Sequence, residues 1–212
     1  MLKSQDFLVL VKLISLQKEL FKRIHYPSLK KNYDGLSNFT INNYELNDLF
    51  SVRGLGSSLG ISKTEVGASL RRCMDNNLLI LRNISNKNNI SLIESDWIIN
   101  KKALFEIIKY AVPYLYPPQQ LGFDYGILTG FSAPVLSKEL TSAGSSSIIW
   151  PSEYGTAYGQ ALEPIYKTVA FASKNDNFVY NCFALIDAYR LGKAREKDIA
   201  IKLIEKEILG EL

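Results

Sequence analysis

The chain has 212 residues, of which 47% are hydrophobic and 22% charged, and its formal net charge is +4. This length allows one large domain or two small ones, and the ordinary composition argues against a disordered or fibrous protein. The apolar runs are shorter than the roughly 20 residues that cross a bilayer, and the N-terminus lacks a signal-peptide pattern. We therefore expect a cytoplasmic protein that makes no membrane contact.

The positive charge is concentrated in the first half of the chain. Residues 1–110 contain 16 Lys and Arg against 10 Asp and Glu, whereas residues 111–212 contain 9 against 11. A basic module beside a slightly acidic one suits a protein that contacts phosphates with one half only.

Cys73 and Cys182 are the two cysteines, far apart and each within a helix-like apolar pattern. This usage is typical of buried thiols in a reducing compartment and not of a disulfide or zinc framework. We expect no bound metal and no cofactor.

The first predicted helix runs from about Gln5 to Lys22. Ser4 is a suitable N-cap, and Asp6 stands in the first turn, where the helix dipole favours an anion. A polar segment follows at about residues 24–48, and its role is left open.

Two short helices are predicted next. The first buries Leu55 and Leu59, with Gly56 allowing a close crossing, and Gly60 supplies a left-handed turn that ends it. Ser62 begins the second helix and forms a capping-box pattern with Glu65. The second helix has a buried stripe and then a left-handed C-cap at Asn77. The stripe residues are Val66, Leu70, Cys73 and Met74.

A hairpin should follow this helix, with strands at about 78–83 and 90–94 and a polar turn at 85–89. Asn100 then caps a helix that stops around Pro113, and Pro117-Pro118 mark a domain boundary. Beyond them we predict a short helix near 134–140, a short strand or extended segment at 148–151, and helices at about 162–173, 178–191 and 194–209. Trp150, Tyr154, Tyr158 and Tyr166 are expected in the core, the alternatives being a pocket lining or a dimer interface.

A helix, a glycine turn, a capped helix and a hairpin, in that order, predict a winged helix-turn-helix. The second helix would enter the DNA major groove, its N-terminus facing phosphates, and the wing would enter the minor groove. The predicted DNA-binding residues are Arg53, Ser62, Lys63, Thr64, Gly67, Ala68, Arg71, Asn86, Lys87 and Asn88.

The segments 60–66 and 77–78 resemble the MarR-type winged helix family, and residues 187–196 are similar to a stretch in uncharacterised bacterial MarR-like proteins. The resemblance implies a bacterial transcription regulator that binds operators as a dimer. Phe131, Tyr125 and Tyr158 depart from that pattern, as does the polar insertion before the motif.

Other chemistry receives less support. His25 has no nucleophile pattern beside it, and the glycines of 54–60 lack the Gly-Lys-Ser/Thr ending of a phosphate loop. Arg190 and Arg195 form a possible ligand or partner site, with an ion-paired turn as the alternative. Winged helices also mediate protein contacts.

The predicted fold is therefore mainly α with a small β-wing, in two domains: residues 1–116, a winged helix-turn-helix, and residues 117–212, a mostly helical dimerisation, partner or effector domain. The expected function is sequence-specific binding of double-stranded DNA by a non-enzymatic regulator, a homodimeric repressor. The alternative is an antitoxin-like or defence-system protein that binds a partner encoded nearby and autoregulates its operon. An enzyme acting on nucleotides through residues 190–196 is a third hypothesis.

Overall fold

The computed structural model describes residues 1–25, 48–81, 97–139 and 146–210, and most of these residues lie in helices, with a few short strands. None of the helices in these ranges has the length and apolarity that a membrane crossing requires. The helices are α1 (Ser4–His25), α2 (Val52–Leu59), α3 (Lys63–Asp75), α4 (Lys101–Tyr110), α5 (Val112–Leu115), α6 (Val169–Ser173), α7 (Asn177–Leu191) and α8 (Ala194–Leu209). The strands are β1 (Leu79–Leu81), β2 (Trp97–Ile99), β3 (Gln120–Leu128), β4 (Ser147–Pro151) and β5 (Ala157–Leu162).

Helix α1 runs through the centre of the protein. Its first half is apolar on nearly every side, and a helix segment of that kind is buried all round. From Phe7 to Val11, and again at Leu13 and Ile14, the side chains are at most 2% exposed. Each contributes about 1.5–3 kcal/mol by leaving water. Helix α1 packs against α2 and α3 on one side and α7 on the other, so it joins the two halves of the chain.

The connection from α2 to α3 is a tight turn, as predicted. Ser51 Oγ accepts the Gly54 N–H at 3.0 Å and begins α2, and Leu55 and Leu59 are fully buried. Gly60 has φ +66°, which ends the helix in the left-handed region where glycine carries no steric penalty. At Gly56 a Cβ would lie 2.6 Å from the Ile61 carbonyl oxygen, so the close approach is to the turn itself.

Strands β1 and β2 pair antiparallel, with Leu79 opposite Ile99 and Leu81 opposite Trp97. Trp97 is buried and its ring centroid lies 5.8 Å from that of Phe50. The predicted turn at 85–89 and strand at 90–94 lie outside the described residues. The described partner of β1 is 97–99, a segment for which the sequence predicted no strand.

Beyond α5 the structure departs from the prediction of a mostly helical second half. Strands β3, β4 and β5 each pair with both of the others, and only β4 was predicted. Strands β3 and β4 can approach closely because residue 126 is a glycine: a Cβ there would be 1.8 Å from the Trp150 carbonyl oxygen. Of the helix predicted at 162–173, only α6 (Val169–Ser173) is helical, and Leu162 is the last residue of β5. In place of the helix predicted near 134–140, the described residues have one 3-10 turn, Pro134–Leu136, which follows another at Gly130–Ser132.

Helices α7 and α8 follow the prediction closely. Asp176 caps α7 by accepting the Phe178 and Val179 N–H groups at 3.0 Å, and it also accepts Lys12 Nζ and Ser15 Oγ of α1 at 2.8 Å. Buried side chains from both sides of residue 116 form one continuous apolar cluster. The division into domains at that position stays a prediction.

Candidate nucleic-acid interface

Helix α3 has the two ends that its sequence predicts. Ser62 is extended, with φ −63° and ψ 147°, and its Oγ accepts the Glu65 N–H at 3.2 Å. The helix ends at Asp75, and Asn77 then adopts φ +55° while the Leu78 N–H donates to the Cys73 carbonyl at 2.9 Å. This left-handed end is strained for most residues, and asparagine tolerates it.

The inner face of α3 is fully buried. Val66, Leu70 and Cys73 are 0% exposed, as the apolar stripe predicted, whereas Met74 is only half-buried. Ser69 completes the buried face. Burial raises the pKa of the Cys73 thiol to about 12, so this cysteine is an inert packing residue at neutral pH.

The outer face of α3 carries the predicted contact residues. Ser62, Lys63, Thr64 and Arg71 are exposed, Gly67 and Ala68 are half-buried, and Arg53 is exposed in the first turn of α2. The predicted wing residues Asn86, Lys87 and Asn88 lie outside the described residues. The described contact residues therefore lie on the outer face of α3, from Ser62 to Arg71, and at the start of α2.

The cations of this surface have no acidic partner among the described residues. In the described ranges, no carboxylate lies within ion-pair distance of Arg53, Lys63 or Arg71. Nη2 of Arg71 lies 3.8 Å from the place where a Gly67 Cβ would be, so the guanidinium folds back over the glycine. Lys63 stands in the first turn of α3, where the helix dipole also attracts anions, while Arg53 lies in the first turn of α2 and Arg71 in the third turn of α3.

Arg72, next to Arg71, has the opposite role, which the sequence did not reveal. Its Nε and Nη2 donate to the Asp6 carboxylate at 2.9 and 2.7 Å, and Asp6 also accepts Ser69 Oγ at 2.7 Å. Asp6 is 1% exposed. The hydrogen bonds that Arg72 donates to Asp6 raise the pKa of Arg72, and burial opposes that shift. The pair fastens α3 to α1, so Arg72 is unavailable to an external ligand.

Glu65 also differs from its predicted role. In a capping box its side chain would return to the Ser62 N–H, but Oε1 accepts Gln5 Nε2 and, at 3.2 Å, Arg72 Nη2. Only the Ser62 half of the box is present. We name Gln5, Asp6, Glu65, Ser69 and Arg72 the Asp6 network. Asp6 and Glu65 were assigned from local patterns, and the contact between residues 6 and 72 gives no local signal.

Arg190 and Arg195 are not brought into one site. Arg190 is 7% exposed, and its Nη1 donates to Asp187 Oδ1 at 2.6 Å while Nε and Nη2 donate to the carbonyls of Tyr116 and Pro117 at 2.7 and 3.1 Å. Arg195 is exposed in the first turn of α8. The ion-paired turn describes Arg190 better than a ligand site does, because its donors are used internally.

The partner of Arg190 is the most buried carboxylate of this half. Asp187 Oδ2 accepts Trp150 Nε1 at 2.5 Å and Thr129 Oγ1 at 2.9 Å. Burial raises the pKa of Asp187, and Arg190 together with the hydrogen bonds opposes the shift. These contacts tie α7 to β4 and to the residue that follows β3. They are structural.

Two exposed tyrosines overturn another expectation. Tyr154 and Tyr158 were expected in the core, yet they are 44% and 58% exposed, whereas Trp150 is fully buried and Tyr166 half-buried.

In the described part of the chain, no three His, Cys, Asp or Glu side chains are grouped as metal ligands.

Compared with protein-family models, curated proteins and solved structures, the chain matches none of them. The MarR-like resemblance stays a prediction from motifs, and a functional proposal has to rest on the geometry of α3 and its surroundings.

Proposed function

We propose that the protein is a sequence-specific regulator that binds double-stranded DNA as a dimer. In this proposal α2 and α3 are the helix-turn-helix, α3 is the recognition helix, and β1 and β2 form the base of the wing. The MarR-like motif at 60–66 agrees with this assignment.

The observation that carries the proposal is the contrast between the two faces of α3. The inner face is buried and fastened to α1 by the Asp6 network, so the helix is held rigidly. The outer face presents Lys63 and Arg71 unpaired, with Gly67 and Ala68 between them. Small residues let a helix approach base edges closely, and unpaired cations displace the counterions of DNA without first breaking an ion pair.

The test is a DNA-shift assay with the promoter of the protein's own gene, titrated with salt. We expect Lys63→Ala/Arg71→Ala to bind at least about tenfold more weakly and to reduce the salt slope by about two, because each phosphate contact contributes roughly one. A scrambled duplex checks sequence specificity.

A matched control separates a local contact from a loss of overall charge. Lys193→Ala/Arg195→Ala removes the same two charges from exposed positions at the start of α8. This variant should bind like the wild type. Equal binding by the wild type and the Lys63/Arg71 variant, or equal weakening by both variants, would show that α3 is not the recognition helix.

A further inference from the structure

Helix α6, from the C-terminal half of the chain, lies against the turn that joins α2 to α3. A Cβ at Gly60 would be 2.9 Å from Cδ1 of Phe171 and 3.3 Å from its Cε1. Gly60 is exposed and Phe171 is 38% exposed, so the two residues meet at the surface and not in the core. The surface of α6 therefore continues the surface that begins with Ser62 and Lys63, which are also exposed.

The outer side of α6 carries a lysine at each end. The inner side is buried, and its members are Val169, Ala170, Ala172 and Ser173. Lys167, in the turn before the helix, and Lys174, just after it, are both exposed. They lie four positions before and three positions after Phe171, which is about one helical turn in each direction from the residue that touches Gly60. We call Lys167 and Lys174 the α6 lysines.

Neither of the α6 lysines has an acidic partner among the described residues. Lys174 Nζ lies 4.1 Å from the ring centroid of Tyr154. This contact orients the ammonium group without neutralising its charge. Glu153 is hydrogen-bonded to the Tyr154 hydroxyl, whose pKa it raises, and does not pair with the lysine.

The other acids around this surface leave its positive charge in place. Glu65 is bound to an arginine of α3, and Asp176 to a lysine of α1. Glu163 is exposed four positions before Lys167, but the two are not within ion-pair distance. Burial, and then the charge of Glu65, raise the pKa of Tyr166, so the residue before Lys167 is also close to the first turn of α3.

We propose that the α6 lysines bind phosphates of the same DNA duplex that α3 reads. This inference rests on the proposed function, in which the N-terminus of α3 enters the major groove. The turn before a groove helix lies beside one of the two backbones that border the groove, and α6 flanks that turn. The C-terminal half, from which the sequence predicted no phosphate contact, then forms part of the DNA-binding surface.

The test is salt-titrated binding of Lys167→Ala/Lys174→Ala to the promoter duplex and to a scrambled duplex. At about 0.15 M salt we expect binding at least about tenfold weaker, with the salt slope reduced by about two. Both duplexes should be affected alike, because phosphate contacts carry no sequence information. Lys167→Arg/Lys174→Arg keeps the charges and should bind like the wild type. Adding Lys63→Ala/Arg71→Ala should bring the slope reduction to about four.

The matched control is again Lys193→Ala/Arg195→Ala. These residues are exposed at the start of α8, a helix that packs against α7 and α4. The control should keep the wild-type affinity and salt slope. Circular dichroism and a melting curve establish that each variant is folded. A folded α6-lysine variant that binds like the wild type, or a control that weakens binding as much, overturns the inference.

Directed cleavage locates α6 on the duplex without relying on affinity. Cys73 and Cys182 are buried, so an iron chelate can be attached selectively to the cysteine introduced by Lys174→Cys. Hydroxyl radicals from the chelate should cut the DNA backbone at an edge of the bound site, and the chelate on Arg195→Cys should give no such cuts. A bound duplex that Lys174→Cys leaves uncut at the site also overturns the inference.

The two proposals fail in different ways. If Lys63→Ala/Arg71→Ala loses promoter binding while the α6-lysine variant keeps wild-type affinity and slope, only the α6 contact is rejected. If the α6-lysine variant binds weakly but the wild type binds promoter and scrambled duplexes equally, only the sequence-specific regulator is rejected. A wild type that binds neither duplex rejects both.

Discussion

The Asp6–Arg72 ion pair, which joins α3 to α1, should contribute strongly to the free energy of unfolding. Asp6 is 1% exposed, and the Arg72 side chain is 18% exposed. Removing one member of a buried pair leaves the other charge uncompensated, at a cost of about 3–5 kcal/mol. We expect about 3 kcal/mol for Asp6→Ala, because Arg72 keeps some solvent and Glu65, and about 4 kcal/mol for Arg72→Ala, which leaves Asp6 buried without a cation.

The double variant should cost less than the two single effects together. Neither charge is stranded in Asp6→Ala/Arg72→Ala, so its loss should be about 4 kcal/mol and not about 7, a coupling of roughly 3 kcal/mol. Equilibrium denaturation with urea measures each free energy of unfolding, with unchanged m-values as the check for two-state behaviour. Single effects that add to within about 0.5 kcal/mol would refute the reasoning.

Glu65 provides the internal control, since it contacts the same arginine from a more exposed position. Its side chain is 37% exposed and lies 3.2 Å from Arg72 Nη2. Solvent screens such a pair, so the coupling of Glu65 with Arg72 should not exceed about 1 kcal/mol. A coupling as large as that of Asp6 would mean that burial does not set the strength of these contacts.

Three further outcomes follow from the geometry of α3. Gly67→Leu should raise the free energy of unfolding by about 0.8 kcal/mol, because a Cβ there would meet only the flexible Arg71 side chain at 3.8 Å and leucine favours helix, while weakening operator binding at least about tenfold; Gly67→Ala should share the stabilisation and bind better than Gly67→Leu. Asn77→Ala should lower the free energy of unfolding by about 1 kcal/mol, seen as a lower melting temperature, because φ is +55° at this position; Asn77→Gly should not lower it. Cys73 should resist thiol reagents at pH 7 until the protein is unfolded, a result that labelling with mass detection would check; fast native labelling would contradict its buried position.

The ends and faces of α3 could be predicted from the sequence because their causes are local. Ser62 Oγ accepts the N–H of Glu65, three positions away, and the Asn77 N–H donates to the Met74 carbonyl. The helical period that places Val66 and Leu70 on one face is likewise a property of neighbouring residues. Local chemistry of this kind acts in the same way whatever the rest of the chain does.

Strand β3 and the Asp6 network could not be predicted because their causes are distant. Strand β3 is exposed at both its odd and its even positions up to Tyr125, so it lacks the alternation that marks a half-buried strand. The glycine at 126 is required by the close approach of the Trp150 carbonyl, and this approach exists only in the folded chain. Asp6 also satisfies a local rule, an acid in the first turn, and that interpretation concealed its pairing with Arg72.

Helix α1 is attached by polar contacts to both α3 and the start of α7. Asp6 near its N-terminus holds α3, and Lys12 and Ser15 hold Asp176 at the start of α7. These two attachments are about 9–14 Å apart on one buried helix, at 1.5 Å per residue. The proposed recognition helix and the C-terminal helices are therefore fixed to the same rigid element.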